Sequence, residues 1–275
     1  MQTAAIKLPV LLTVRQSWGS VAANLGLAAR LVWPWMAIFI LSGLAIVVGV
    51  VLNSGTATPS PALVGGASVV PGIVIVIAAI IAIPAIAVGW HRGLLAGERP
   101  AQPIKIDGKV WAYLGYSVLL AIMAALLNVL VIGLASVAAG ITLGIGSEPM
   151  SLERLAAFAP FLPLAFLPTL LILNRFLLVL PAHAVGRDMG FGEGLRLTRG
   201  NTLRLTFAAG LVSAPIAIVQ GAGQLVALSA PSPALASLIG LLNLAAFVYF
   251  SFASLSFLSI SLSQLSEPKS APAAA

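Results

Sequence analysis

Six long apolar stretches, separated by shorter segments that hold nearly all the charge, set the plan of this chain. They run from Leu31 to Leu52, Val69 to Val88, Trp111 to Gly146, Phe158 to Leu180, Leu205 to Leu228 and Leu235 to Leu262. A membrane helix needs about 20 mostly apolar residues, because the hydrocarbon core is about 30 Å thick. Every stretch reaches that length. The third holds 36 residues without a charge. Two crossings would need about 40 residues plus a turn, so one long helix is expected, frayed at its end by Gly140, Gly144 and Gly146. Pro84, Pro168 and Pro215 are expected to kink the second, fourth and fifth stretches. The pattern predicts an all-α fold: a polytopic membrane bundle of six transmembrane helices.

Two shorter patterns sit outside these stretches. Leu11, Val14, Trp18, Val21 and Leu25 recur three and four residues apart, which is one stripe of a helix. Thr13, Gln16, Ser20 and Asn24 point elsewhere. A short helix with such a stripe is expected to lie in the membrane interface; packing against the bundle is the alternative. A second unit precedes the fifth stretch. Phe191, Leu195 and Thr198 share a helical spacing, Gly200 suits a stop, and Asn201 suits the N-cap of the next helix. The two units suggest a weak repeat of interfacial element followed by helical hairpin. The expected division is therefore an amphipathic segment over 1–30, a membrane domain over 31–265 and a disordered cytoplasmic tail over 266–275.

Charge then orients the bundle. Lys and Arg concentrate in cytoplasmic loops of membrane proteins. Of 14 basic residues, Lys7, Arg15, Arg30, Arg92, Arg99, Lys105, Lys109, Arg187, Arg196, Arg199, Arg204 and Lys269 fall on one side and Arg154 on the other, with Arg175 inside the fourth stretch. Six crossings with that bias place both termini in the cytoplasm. Trp33, Trp35, Trp90 and Trp111 fall at the same ends, as interfacial aromatic residues do, and Trp18 lies in the N-terminal segment. The overall composition agrees: 60% of residues are apolar, 8% are charged, and the mean hydropathy is +1.10. A soluble domain carries about a quarter charged residues, so that class is excluded. The net charge of +7 is explained by orientation rather than by nucleic-acid binding. The N-terminus lacks the layout of a cleaved signal peptide, since Arg15 and Gln16 interrupt the apolar run from Leu8 to Val14.

Few residues offer chemistry. The absence of cysteine excludes disulfides and thiolate sites. The six stretches contain no acidic residue, which argues against a carboxylate proton relay. His91 and His183 have no metal-ligand spacing, so neither a metal nor another cofactor is expected. Ser256, Ser259 and Ser263 share a stripe, but no neighbouring base would activate them; bonding between helices is the expected role. Arg175 is the one charge inside a stretch. Centring an arginine costs about 2.5–3.5 kcal/mol, against roughly 0.3–0.6 kcal/mol gained per Leu, Ile, Phe or Val. Phe161 to Leu180 holds 14 of these, so the helix is expected to survive. Arg175 either snorkels to the interface or, with Asn174 and His183, holds a lipid phosphate or another anion. Arg196 and Arg199 are three apart and form the better headgroup pair of the Arg187–Arg204 loop, where each basic residue near an anionic surface contributes about 1 kcal/mol. Gln220, Gln224 and Asn243, with Asn128, either bond between helices or line a polar path. Gly140 and Gly144 have a helix-packing spacing.

The segment NRFLLVLPAHAVGRDMGFGEGLRLTRGNTLRL, residues 174–205, resembles a broad group of bacterial six-span inner-membrane proteins. The YciC-like proteins belong to it, as does the membrane region fused to some glycerophosphodiester phosphodiesterases. The resemblance rests on Arg175, Leu180, Pro181 and Ala182, and on Thr198-Arg199-Gly200-Asn201 leading into the next helix. It implies an inner-membrane location and six helices, and no established reaction. The phosphodiesterase needs a soluble barrel with acidic and histidine metal ligands, and this chain has neither. The expectation is thus a non-enzymatic envelope protein that binds membrane lipids or other inner-membrane proteins. A small permease or transporter subunit is the alternative.

Overall fold

A computed structural model describes residues 6–54, 61–99, 102, 104–143, 162–228 and 232–266. Among the described residues the regular structure is entirely helical. In chain order the helices are α1 (Val10–Ala23), α2 (Leu25–Ser54), α3 (Pro61–Leu95), α4 (Gly108–Leu143), α5 (Leu162–Leu173), α6 (Val179–Ala184), α7 (Phe191–Leu197), α8 (Thr202–Leu228) and α9 (Pro233–Ser266). Five of them are long and apolar enough to cross a membrane: α2, α3, α4, α8 and α9. The chain is a multi-pass helical membrane bundle. A backbone surrounded by lipid has no water to bond, so it must satisfy its own N–H and C=O groups, and a helix does this within one segment.

The first, second, fifth and sixth apolar stretches each lie in one helix; the helix runs past the first, second and sixth at both ends and past the fifth at its N-terminal end. The third becomes α4, a single helix as its length required; Gly144 and Gly146 lie outside the described residues. Pro84, Pro168 and Pro215 are carried inside helices, together with Pro34 and Pro71. The fourth stretch behaves differently. After the 12-residue α5 the chain tightens through Asn174–Leu178 before α6 begins. There the N–H groups of Arg175, Phe176, Val179 and Leu180 bond to carbonyls three residues back rather than four. This narrower winding is the usual form of short tightened helix segments. Its polar members account for its position: Asn174 donates to Thr206 Oγ1 of α8 at 3.2 Å, and Arg175 donates through Nη2 to Leu195 O of α7 at 3.2 Å.

The α1 segment takes the arrangement given as the alternative. It docks on the bundle, against α8 and α9. Its buried face is Thr13, Val14, Ser17 and Val21, whereas Leu11 and Leu25, at the two ends of the apolar stripe, are 75% and 56% exposed. Polar bonds rotate the helix toward α9. Thr13 Oγ1 lies 2.8 Å from Gln264 Oε1, Gln264 Nε2 donates to Gln16 Oε1 at 2.9 Å, and the Tyr249 hydroxyl donates to Trp18 O at 3.0 Å. The second short unit forms as expected. α7 runs from Phe191 to Leu197, Thr198 closes it with its hydroxyl on Gly194 O, and Gly200 reverses the chain at φ +79°. A side chain is strained at such an angle, and glycine is not.

Helices α2 and α3 approach closely where Leu31 and Leu27 lie over Gly89 and Gly93. That pair has the small-residue spacing of membrane helix contacts. Gly140 sits near the end of α4, and its expected partner Gly144 lies outside the described residues. The tryptophans divide. Trp33 and Trp111 face outward, as interfacial residues would, while Trp35 and Trp90 are buried in the core.

One end of the bundle gathers most of the buried residues. Trp90, Leu178, Val179, Met189, Leu205, Phe252 and Leu262 share one apolar cluster there with Leu8, Val14 and Val21. Twelve of the 14 basic residues belong to the segments 7–30, 92–109 and 175–204 that build this end; Arg154 and Lys269 lie outside the described residues.

Candidate functional site at the basic end of the bundle

The polar groups of this end form linked clusters across helices. His91 is fully buried. Its Nδ1 lies 2.7 Å from Ser259 Oγ and its Nε2 lies 3.3 Å from the Tyr113 hydroxyl. The adjacent Trp90 donates from Nε1 to Ser256 Oγ at 3.0 Å and packs at a tilt against Phe252, ring centroids 4.6 Å apart. Ser256 and Ser259 therefore bond between helices, as their stripe suggested. A buried polar group without a partner costs about 1–3 kcal/mol, so this pairing selects one register of α3 on α9.

Arg92 is the next link. Its side chain is 7% exposed, its Nε donates to Ala184 O at 3.0 Å, and its Nη2 reaches Asp107 Oδ2 at 2.8 Å. Asp107 also starts α4, accepting from the N–H of Lys109 at 3.0 Å and of Val110 at 3.3 Å. Burial alone raises the Asp107 pKa. The Arg92 hydrogen bond and charge, then the two N–H groups, outweigh that and hold the carboxyl below its ordinary value. Arg92 and Asp107 were not singled out from sequence. The available signal was Asp107 immediately before an apolar helix, an N-cap pattern.

The expected anion site is dispersed. Arg175 and His183 engage different partners. Arg175 holds the α7 carbonyl of Leu195, while its Nε is buried without a hydrogen bond. His183 places Nδ1 2.9 Å from Val179 O, packs its ring on Tyr116 at 4.2 Å, and has Nε2 3.5 Å from exposed Asp188. Around them Phe191 meets Tyr116 at 5.6 Å and Phe176 at 5.4 Å. These rings seat α7 across the tightened turns. Arg175 thus acts as a brace under α7. Arg196 and Arg199 do point outward. Both are exposed, and among the described residues neither side chain has a hydrogen bond or ion pair, whereas Arg187 pairs with Glu193 at 3.4 Å.

Asn201 stands at the N-cap position of α8, its C=O accepting from the N–H of Leu205 at 2.8 Å. Its side chain leaves the α8 cap and grips the N-terminal segment instead. Its Oδ1 accepts from Leu8 N at 2.8 Å, its Nδ2 donates to Ile6 O at 2.6 Å, and Arg204 donates to Leu8 O at 3.0 Å. One amide side chain thus stands in for a backbone partner of residues 6–8.

The possible polar path separates in the structure. Gln220 Nε2 donates to Asn243 O at 3.1 Å, joining α8 to α9, while Gln224 is exposed on the outer surface. Asn128 Oδ1 is buried without a hydrogen bond. Among the described residues no group of three His, Asp or Glu side chains is placed to hold a metal ion.

Comparison with protein-family models, with curated proteins and with solved structures returns no match.

Proposed function

We propose that this chain is an inner-membrane protein of six crossings, with both termini in the cytoplasm, that binds anionic lipid through its basic end and carries out no catalytic reaction. The observation that carries this reading is the outward presentation of Arg196 and Arg199. They sit on or just beyond a short helix whose other side is seated on Tyr116 and Phe176, and among the described residues no acidic partner neutralises them. The positive-inside bias supplies the orientation. The crossing added to the five long helices is the fourth in chain order; its described part, residues 162–184, has 23 residues, and at about 1.5 Å or more each they span a core of about 30 Å. The resemblance of residues 174–205 to bacterial six-span inner-membrane proteins supports the same layout. A permease would need Gln220, Gln224 and Asn243 along one water-filled path, and the bonding of Gln220 to Asn243 with Gln224 outside favours helix packing instead.

The test is purification in mild detergent from native membranes, followed by mass spectrometry of what is retained. Anionic phospholipid enriched over the bulk membrane is the expected result. The Arg196→Gln/Arg199→Gln protein should retain several-fold less, since each charge contributes about 1 kcal/mol near an anionic surface. Unchanged retention removes these two residues from the reading. A stoichiometric protein in place of lipid makes the chain a subunit or scaffold.

A further inference from the structure

A cleft of about 530 Å³ lies along the contact of the start of α2 with the end of α3, and Glu98, Arg99, Gln102 and Lys105, from before α4, stand over it. Its two sides differ in chemistry. The floor is apolar: Leu31 and Trp35 from α2 face Ile86 and Gly89 from α3. The rim is charged, with Arg92, Glu98, Arg99 and Lys105. Arg99 and Lys105 are exposed, and among the described residues neither has a hydrogen bond or ion pair. Arg92 is 6% exposed and lines the same cleft. Two of its three nitrogens are committed, to Ala184 O and to Asp107. Its third has no protein partner among the described residues. A buried guanidinium with a spare donor, beside two unpaired cations, suits a phosphate.

The floor decides between sources of phosphate. A free anion gains nothing from Leu31, Trp35 and Ile86, whereas an acylglycerol does. The volume lies within the range of small-molecule sites, about 300–1,000 Å³. It suits a headgroup and glycerol, with the acyl chains leaving along the apolar sides of α2 and α3.

We infer that this cleft seats one anionic phospholipid, its phosphate held by Arg99 and Lys105 in front of Arg92 and its glycerol on the apolar floor. Glu98 opposes the anion and sets an upper limit on affinity. The inference rests on the reading that the basic end meets the lipid headgroups, but it uses residues distinct from Arg196 and Arg199.

The experiment is native mass spectrometry of the full chain titrated with phosphatidylglycerol, with phosphatidylcholine and inorganic phosphate as separate arms. One tightly held phosphatidylglycerol per chain is expected. Arg99→Gln/Lys105→Gln should weaken it about tenfold or more, and Glu98→Gln should tighten it. These side chains are exposed and unpaired, so the variants keep the fold. Equal retention of phosphatidylcholine overturns the inference, as does unchanged affinity in the double variant. Displacement of the lipid by millimolar inorganic phosphate also overturns it, in favour of a free-anion site. The Arg196→Gln/Arg199→Gln protein separates the two readings. If it loses bulk anionic lipid but keeps this single molecule, both stand. If it loses nothing while Arg99→Gln/Lys105→Gln loses the single lipid, the cleft stands alone.

Discussion

On the same helix α3, Trp90, His91 and Arg92 are buried and each bonds to another element, while Ile73, Ile77 and Ile80 are each 52% exposed. The contrast repeats across the bundle. Away from the basic end, Leu52, Leu126, Val129 and Leu225 present their side chains outward, and Gln220 with Asn243 provides one polar fastening there. Lipid tails are as apolar as leucine, so burying leucine between helices gains little over leaving it in lipid. The half within the hydrocarbon can therefore remain loosely packed. The basic end lies where polar surroundings begin. It buries more of its apolar groups, among them Trp90, Leu178, Val179 and Phe252, and bonds many of its polar ones across helices, though Trp18 Nε1 and Arg175 Nε stay without a partner.

This difference can be broken first at Arg92. Asp107→Ala leaves a nearly buried guanidinium without its carboxylate. Breaking a buried pair costs about 3–5 kcal/mol; Asp107 is 30% exposed, so about 2–4 kcal/mol is expected, read as a lower unfolding midpoint in detergent. The same pair sets a pH dependence. The folded carboxyl titrates below its ordinary value of 3.8, so its contribution is full above about pH 4 and is lost as the pH falls through the folded pKa. Asp107→Asn should lack that acid-sensitive part. A midpoint for Asp107→Ala within experimental error of the wild type would mean that the pair does not hold α3 to α4.

Asn201→Ala comes next. It orphans Leu8 N and Ile6 O, at about 1–3 kcal/mol for a buried unsatisfied group. Hydrogen exchange of residues 6–13 should speed up, while that of α8 beyond Thr206 should not. Uniform acceleration would show that the grip is not local. Gln220→Leu, in the looser half, removes one interhelical bond for about 0.6 kcal/mol. Leu126→Ala, on the outer face of α4, should change stability in a lipid nanodisc by less than about 0.5 kcal/mol. A larger loss there would mean that this face is covered by protein rather than by lipid.

The long helices were legible because apolar length is a direct consequence of bilayer thickness, whereas their ends run up to eight residues beyond the apolar stretches. Five of the six apolar stretches became single long helices. The fourth carries enough Leu and Phe to be read as one helix, yet Asn174 and Arg175 turn to partners on α8 and α7 and tighten the winding. Periodicity cannot show this, since the partners lie 20 and 32 residues away. The α1 stripe was read from its apolar members alone. The buried face includes Thr13 and Ser17, and Gln264 at the far end of the chain helps set its rotation. The candidate site was legible only in part. Arg196 and Arg199 were expected at the surface and are there. Arg175 and His183 were read as sharing a face of a continuous helix, and the tightened turns between them removed the basis for that. Arg92, Arg99 and Lys105 were counted as topological charges, because nothing in their spacing reveals that α2 and α3 open a cleft beside them.

The grip of Asn201 on residues 6–8 also imposes an order on synthesis. Leu8 and its partner are 193 residues apart, so at roughly 5–20 residues per second the ribosome delivers the second about 10–40 s after the first. Throughout that interval α1 has no docking surface, since α8 and α9 do not yet exist. Helices with an apolar stripe and few charges bind at membrane surfaces, so a nascent α1 is expected there until its partners emerge. The apolar stripe of residues 10–23 therefore spends that interval uncovered, and the docked position becomes available only once α8 and α9 have been made.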